Sequence, residues 1–294
     1  MSTVVDTVRP APPAPARRRR ARRRSAGTPL AYLAALVIVS ITLVPMLYLI
    51  FGGFRTTAQI NESPASLPHP WVLSNYRSIL SSSAFWRYLG NSMLIATVAT
   101  ALAVSFGAMA AFALARYVFR GREVVYAVFT LGLLFPLAVA ALPLYLLLRD
   151  INLLENPMGV AIPEAAFSLS VTIIILRPFI TAIPREIEDA AALDGAGKIG
   201  FFWRIVLPLS KPALATVAIL AFVTSWNFFI LPLVVFNSSQ HFTLPLGVTT
   251  FQAEHTEDTA RIMAFTALSM LPALGFFILA ERRIVGALTG AIKG

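Results

Sequence analysis

The chain has 294 residues, of which 57% are hydrophobic and only 13% charged, with a net charge of +10 and a mean hydropathy of +0.74. Soluble globular domains carry charge on roughly a quarter of their residues, so this composition excludes an ordinary soluble enzyme and predicts an integral membrane protein. Cysteine is absent, which excludes disulfides and cysteine metal sites.

Residues 1–28 are rich in Pro, Ala and Arg, with seven arginines within 17–24. Such a segment cannot build a core and is expected to be a disordered, cytoplasmic tail. Its arginines read as a topology anchor under the positive-inside rule and as an attraction for anionic lipid. Without aromatic or glycine-rich nucleic-acid motifs beside them, they do not indicate nucleic acid. The apolar run 30–51 is longer than the roughly 7–15 residues of a signal-peptide core. It is expected to be a retained first span.

A polar loop, 52–88, follows, with Trp71, Phe85, Trp86 and Tyr88 suited to a membrane interface. Asn91 and Ser92 open a second span over about 93–114. A third, over about 124–148, is interrupted by Pro136 and Pro143, which kink or end helices. A fourth runs over about 158–176, with Pro163 and Glu164 near its start. Glu164 is the one acid near the interior of a span; an intramembrane functional position and an interfacial one both fit. After a long polar segment comes a fifth span over about 213–236, holding Trp226, Asn227 and Pro232. Asn227 fits either a pathway group or a helix–helix hydrogen bond. A second polar loop, 237–260, carries His241 and His255. The sixth span covers about 262–280, before the tail 281–294.

Six spans put both termini on one side. Of the 24 Lys and Arg, 19 fall on the side of the termini and five on the other, so the termini and segment 183–212 are expected to be cytoplasmic. The fold class is all-α: one six-helix membrane domain over 29–294. No internal repeat is evident, which disfavours transporters built from two matching halves.

The segment 183–212 reads as structured. Pro184 suits a first helical turn. Glu186, Glu188 and Asp189 face the positive end of the helix dipole. Ile187, Ala190, Ala191 and Asp194 recur at helical spacing on one face, and Gly195 and Gly197 are stops. A smooth alanine face lets another protein's backbone come close, so the helix is expected to be a docking element. GAGKIG at 195–200 fails as a phosphate loop: Ala192 stands where its first Gly belongs and Ile199 follows Lys198. The chain is not expected to bind ATP. His69, His241 and His255 lie in predicted outer loops without metal-ligand spacing and are expected to be solvent-exposed. Hydrolase motifs are missing.

The segment DAAALDGAGKIGFFWRIVLPLSKP resembles the EAA loop of binding-protein-dependent ABC importer permeases. The matching residues are Asp189, Ala190, Ala191, Asp194, Gly195 and Ala196, then Leu207, Pro208 and Pro212. Asp189 stands where the family usually has Glu, with Glu188 before it. Asn91-Ser92, LPLYLLLRDINLLENPMG, Trp226-Asn227 with Pro232-Leu233, Thr243-Leu244-Pro245 and the ending Gly286–Gly294 are similar to sugar permeases, the ending to the smaller, maltose-permease-like partner of two paired subunits. This resemblance implies a type I ABC importer permease fold and a non-catalytic subunit of a five-part importer in the cell membrane. Its partners would be a second, different permease, two ABC ATPase subunits and an extracytoplasmic solute-binding protein that delivers a sugar. ATP and Mg would sit on the ATPases, with no cofactor in this chain. The implied ATPase-coupling residues are Ile187, Glu188, Asp189, Ala190, Ala191, Asp194, Gly195 and Ala196; no substrate residue is implied. A non-sugar solute, or a membrane protein working without an ATPase, are the alternatives.

Overall fold

The computed structural model describes residues 27–255 and 257–291. The expected tail 1–28 falls outside them except for Gly27 and Thr28, which already belong to the first helix. Two compact units divide after Pro45. The described residues form helices without strands: α1 Gly27–Gly52, α2 Thr57–Glu62, α3 Ser74–Leu80, α4 Ser83–Arg116, α5 Arg122–Leu131, α6 Leu137–Asp150, α7 Pro157–Thr181, α8 Arg185–Leu193, α9 Lys198–Phe201, α10 Leu207–Leu209, α11 Lys211–Trp226, α12 Ile230–Val235, α13 Leu244–Glu254 and α14 Thr259–Ala291. Four helices are long and apolar enough to cross a membrane, and six spans result if two bent pairs each count as one. The six expected spans are therefore all present as apolar segments, but two are broken.

Prolines explain the breaks, because proline lacks an N–H and its ring clashes with the carbonyl four residues back. The third span is not one kinked helix. A tight turn at Gly132–Leu134 and an extended Pro136 separate two arms bent by 102°, while Pro143 sits inside α6 without breaking it. The fifth span is shorter than expected: α11 stops at Trp226. Pro232 cannot donate to the carbonyl of residue 228, so the chain breaks at 227–229 and restarts as α12. Pro208 likewise follows a widened π turn at Phe202–Val206, and the arms on either side of Ser210 bend by 78°.

The core of the second unit is α4 against α7 and α11. One face of α4 carries small residues at helical spacing, Ser92, Ala96, Ala99, Ala103, Gly107 and Ala111, all buried. Small residues let membrane helices approach closely, which replaces the hydrophobic driving force that lipid removes. At Gly107 a β-carbon would collide with the Thr172 side chain of α7, so the crossing closes there. α4 begins ten residues before the expected second span. At 34 residues it is about 51 Å long, and a separate loop layer packs at each end.

At its first end the two expected polar loops are folded structures. In the first, Arg55 is 1% exposed and donates to the carbonyls of Pro64 (3.0 Å), Ser63 (2.5 Å) and Gln59 and to Ser66 Oγ (2.9 Å). Asn75 Nδ2 donates to the Gly53 and Arg55 carbonyls, at 3.0 and 2.9 Å. The second loop contains α13, a helix that its polar flanks conceal. Asn91 and Ser92 do not open a span; they lie inside α4 and hold this loop. Asn91 Nδ2 donates to the carbonyls of Gln240 and Phe242, at 2.8 and 3.0 Å. Ser92 Oγ accepts from the N–H of Leu244 at 2.8 Å, the first residue of α13. Two of the short stretches similar to sugar permeases, 91–92 and 243–245, are thus bonded to each other.

Candidate functional site

At the other end of α4 lies the segment singled out by its pattern. α8 spans Arg185–Leu193 with Pro184 before it and Glu186 and Glu188 in its first turn. Its stop is complete. Gly195 is left-handed at φ +79°, the Ala196 N–H donates to the Ala191 carbonyl at 2.9 Å, and the Gly195 N–H donates to the Ala192 carbonyl at 3.0 Å. These two bonds form a Schellman motif, which satisfies carbonyls the helix leaves open. Asp194 is the C-cap. Asp-Gly-Ala is therefore a helix terminator followed by a turn. Gly197 is not a second stop: in extended conformation, it precedes α9.

The predicted docking face divides in two. Ala191 is buried at 6%, packed with Phe112 of α4, Leu176 and Ile180 of α7, and Phe201, Phe202 and Val206; Ala196 packs against the same cluster. Glu188 also turns inward. Its carboxylate lies 3.5 Å from Nη1 of Arg116, the last residue of α4, and Arg116 Nη2 donates to the Ile183 carbonyl at 2.7 Å. The Arg116 side chain is 4% exposed and that of Glu188 34%, so the pair is partly shielded. Burial, and then the Glu188 charge, raise the nearby Tyr117 hydroxyl above its ordinary pKa. Ile187, Asp189, Ala190 and Asp194 are exposed. A helix lying on the end of a bundle turns only one stripe inward. Here that stripe holds Glu188 and Ala191, so Ala191 is unavailable to a partner while Ala190 beside it is free.

The outward stripe contains a residue that the pattern left unremarked. Leu193 is 90% exposed, and Ile199 (77%) and Trp203 (60%) follow beyond the turn. A leucine just before an Asp-Gly helix stop was the available signal.

Elsewhere, Glu164 is turned into the helix bundle. It is 4% exposed, facing α11, where the Ser225 hydroxyl donates to its Oε2. Among the described residues Asn227 makes no helix–helix bond: its Nδ2 donates to the Val223 carbonyl of its own helix at 2.8 Å. His69 is exposed. The other two histidines are less open than expected: one meets a carboxylate from the 151–156 turn, the other lies on its own helix. His241 Nδ1 lies 3.1 Å from Glu155, and His255 stacks on Phe251 with ring centroids 4.2 Å apart. Burial alone would raise the Glu155 carboxyl, but the N–H groups of Asn237 (2.5 Å) and Ser238 (3.3 Å) together with His241 hold it below its ordinary value.

Residues 103–287 match the family described as binding-protein-dependent transport system inner membrane component. The chain is 33% identical to the sulfoquinovosyl glycerol transport system permease SmoH of Agrobacterium fabrum, over 91% of this chain and 95% of that protein. It is 32% identical to the diacetylchitobiose uptake permease NgcG of Streptomyces coelicolor, over 85% and 83% of the two chains. It is also 32% identical to the trehalose transport system permease SugB of Mycobacterium tuberculosis, over 88% and 95%. In structure it is similar to a chain from a bacterial ABC transporter involved in the import of the acidic polysaccharide alginate, with a TM-score of 0.75 at 22% identity, covering 88% of this chain and 97% of that one. That likeness extends the fold over most of the chain, as the EAA-like segment implied, and it is the type I permease fold. This multi-pass membrane chain belongs to the family of binding-protein-dependent transport system inner membrane components, the permease subunits of ABC importers.

Proposed function

We propose that this chain is one of two different permease subunits in a sugar importer of the cell membrane, and that α8 is the element through which an ATPase drives it. The observation that carries this reading is the outward stripe of α8. Ile187, Ala190 and Leu193 stand exposed on a short helix terminated at Gly195 and pinned to α4 by Arg116 and Glu188. A free apolar stripe at a loop end fits a groove on a partner, and the pinned stripe behind it carries force into α4 and α7. Segment 183–212 is then the coupling segment, and the charge bias places it in the cytoplasm with both termini.

In this reading the subunit is non-catalytic and holds no cofactor; ATP and Mg are bound by two ABC ATPase subunits. An extracytoplasmic binding protein delivers the solute to the opposite end of α4. The sugar assignment is supported by relatives that are permeases for diacetylchitobiose, sulfoquinovosyl glycerol and trehalose. ATP-driven closure of the ATPases shifts α8, and the packed cluster around Ala191 and Phe202 passes that shift to the spans, biasing a two-state permease.

The test is Leu193→Asp, with Ala190→Trp beside it. Both side chains point away from the bundle, so the variants are expected in the membrane at the parental level. ATPase subunits should no longer co-purify, and import should fall at least about tenfold, as for a lost interface anchor. Normal co-purification with normal import would remove α8 as the docking element.

A further inference from the structure

The residue pattern of α7 holds a feature that the proposed coupling does not use. Glu164, Ser168 and Thr172 follow one another at intervals of four in a largely apolar helix, placing one polar group per turn on a single face. That face lines a groove against α11, with Thr224 and Ser225 opposite. The groove has a cavity volume of about 120 Å³. Along its rim Val171, Leu220 and Thr224 are exposed.

Part of this polarity is accounted for within the chain. Ser225 donates to Glu164 Oε2, and Thr172 Oγ1 donates to the Ser168 carbonyl at 2.8 Å. The second carboxyl oxygen is not. Glu164 Oε1 is buried without a hydrogen-bond partner among the described residues, and a buried polar atom left unpaired is costly. A purely structural α7–α11 bond needs only one oxygen, and Gln would make it without the cost of burying a carboxyl. An unpartnered acceptor beside a groove with further hydroxyls calls for a donor from outside the chain.

We infer that the α7–α11 groove is a solute contact on the translocation path, with Glu164 accepting hydrogen bonds from a neutral, hydroxyl-rich solute and Ser168 and Thr224 completing the contact. Sugars suit the groove's chemistry. Their hydroxyls donate to carboxyl oxygens and exchange bonds with serine and threonine, while their C–H faces fit apolar walls such as Phe167 and Phe228. Glu164 is then a specificity-determining residue. This assignment rests on the sugar-import reading above.

The test uses the whole importer, with both permeases, ATPases and binding protein, in liposomes. Uptake of trehalose, diacetylchitobiose and arabinotriose is measured, together with monodeoxy analogues of whichever sugar enters. Glu164→Gln should lower uptake roughly tenfold, the loss expected when a buried hydrogen bond loses its partner. One deoxy analogue should be disfavoured by the parent and no longer disfavoured by Glu164→Gln, since the missing partners are then the same pair. Thr224→Val keeps the groove filled and should lower uptake severalfold, and Glu164→Asp should restore part of the Gln loss. Where Glu164→Gln fails to assemble, Glu164→Asp and Thr224→Val carry the same comparison. Unchanged uptake and unchanged analogue preference would overturn the assignment and leave the sugar importer standing. Exclusion of all three sugars by the parental importer would overturn the sugar reading, and this assignment with it.

Discussion

The two ends of α4 are built on opposite plans. At its last residue the segment around α8 buries a small apolar stripe and one ion pair, and leaves Leu193, Ile199 and Trp203 in the open. At its first turns the loop layer buries its most polar side chain, Arg55, in carbonyls of its own chain, and clamps Glu155 between backbone N–H groups and His241. A layer held together by many polar bonds of its own is a rigid cap. A layer that leaves large apolar side chains unsatisfied is unfinished without a partner. The contrast predicts that damage to the first end is read as lost stability, and damage to the α8 end as lost coupling.

Arg55→Ala should break the comparison most severely. It removes the buried cationic donor that ties Gln59, Ser63, Pro64 and Ser66 together, and a loss of about 1.5–3 kcal/mol is expected, measured as a lower Tm of the detergent-solubilised complex. A variant with the parental Tm would show that the cap does not depend on its buried guanidinium. Gly195→Leu comes next. Space is open around that α-carbon, so the penalty is the left-handed backbone alone, about 1–2 kcal/mol. Its expected signature is import reduced in proportion to the frayed end of α8, with little change in the Tm of the whole complex. A large Tm loss instead would mean that the Schellman turn supports the bundle rather than the docking surface.

Glu155→Gln gives the smallest effect. The folded carboxyl sits below its ordinary pKa, so its contribution is present above the unfolded value and is lost as pH falls through the lowered folded value. The parent should therefore lose stability on acidification through that window more steeply than Glu155→Gln. Because both partners are about one-third exposed, the difference is expected to be small. Identical acid profiles would remove Glu155 as a clamp.

Much of the α8 end was legible in the primary structure because its signals are local. Pro184, the acidic first turn and Asp194-Gly195-Ala196 specify a helix and its stop within a dozen residues, whatever surrounds them. Which side of that helix faces a partner was not legible. Ala190 and Ala191 are the same residue type one position apart, and only the packing of Phe112, Phe201 and Phe202 makes one internal and the other free. Glu164 illustrates the same limit. Its place near the start of α7 did not show that α11 would set Ser225 at its side.

Composition and hydropathy alone determined a helical membrane protein with six apolar segments, because a lipid-facing backbone must satisfy itself within each helix. Local chemistry determined the α8 turn and its resemblance to an ABC importer permease. The tertiary structure decided where spans break, which loops are folded layers, that Asn91 and Ser92 bind the loop at 240–244, and that one carboxyl oxygen is buried unpaired beside a groove. Those outcomes depend on residues from different helices meeting, and no single stretch of chain contains both partners.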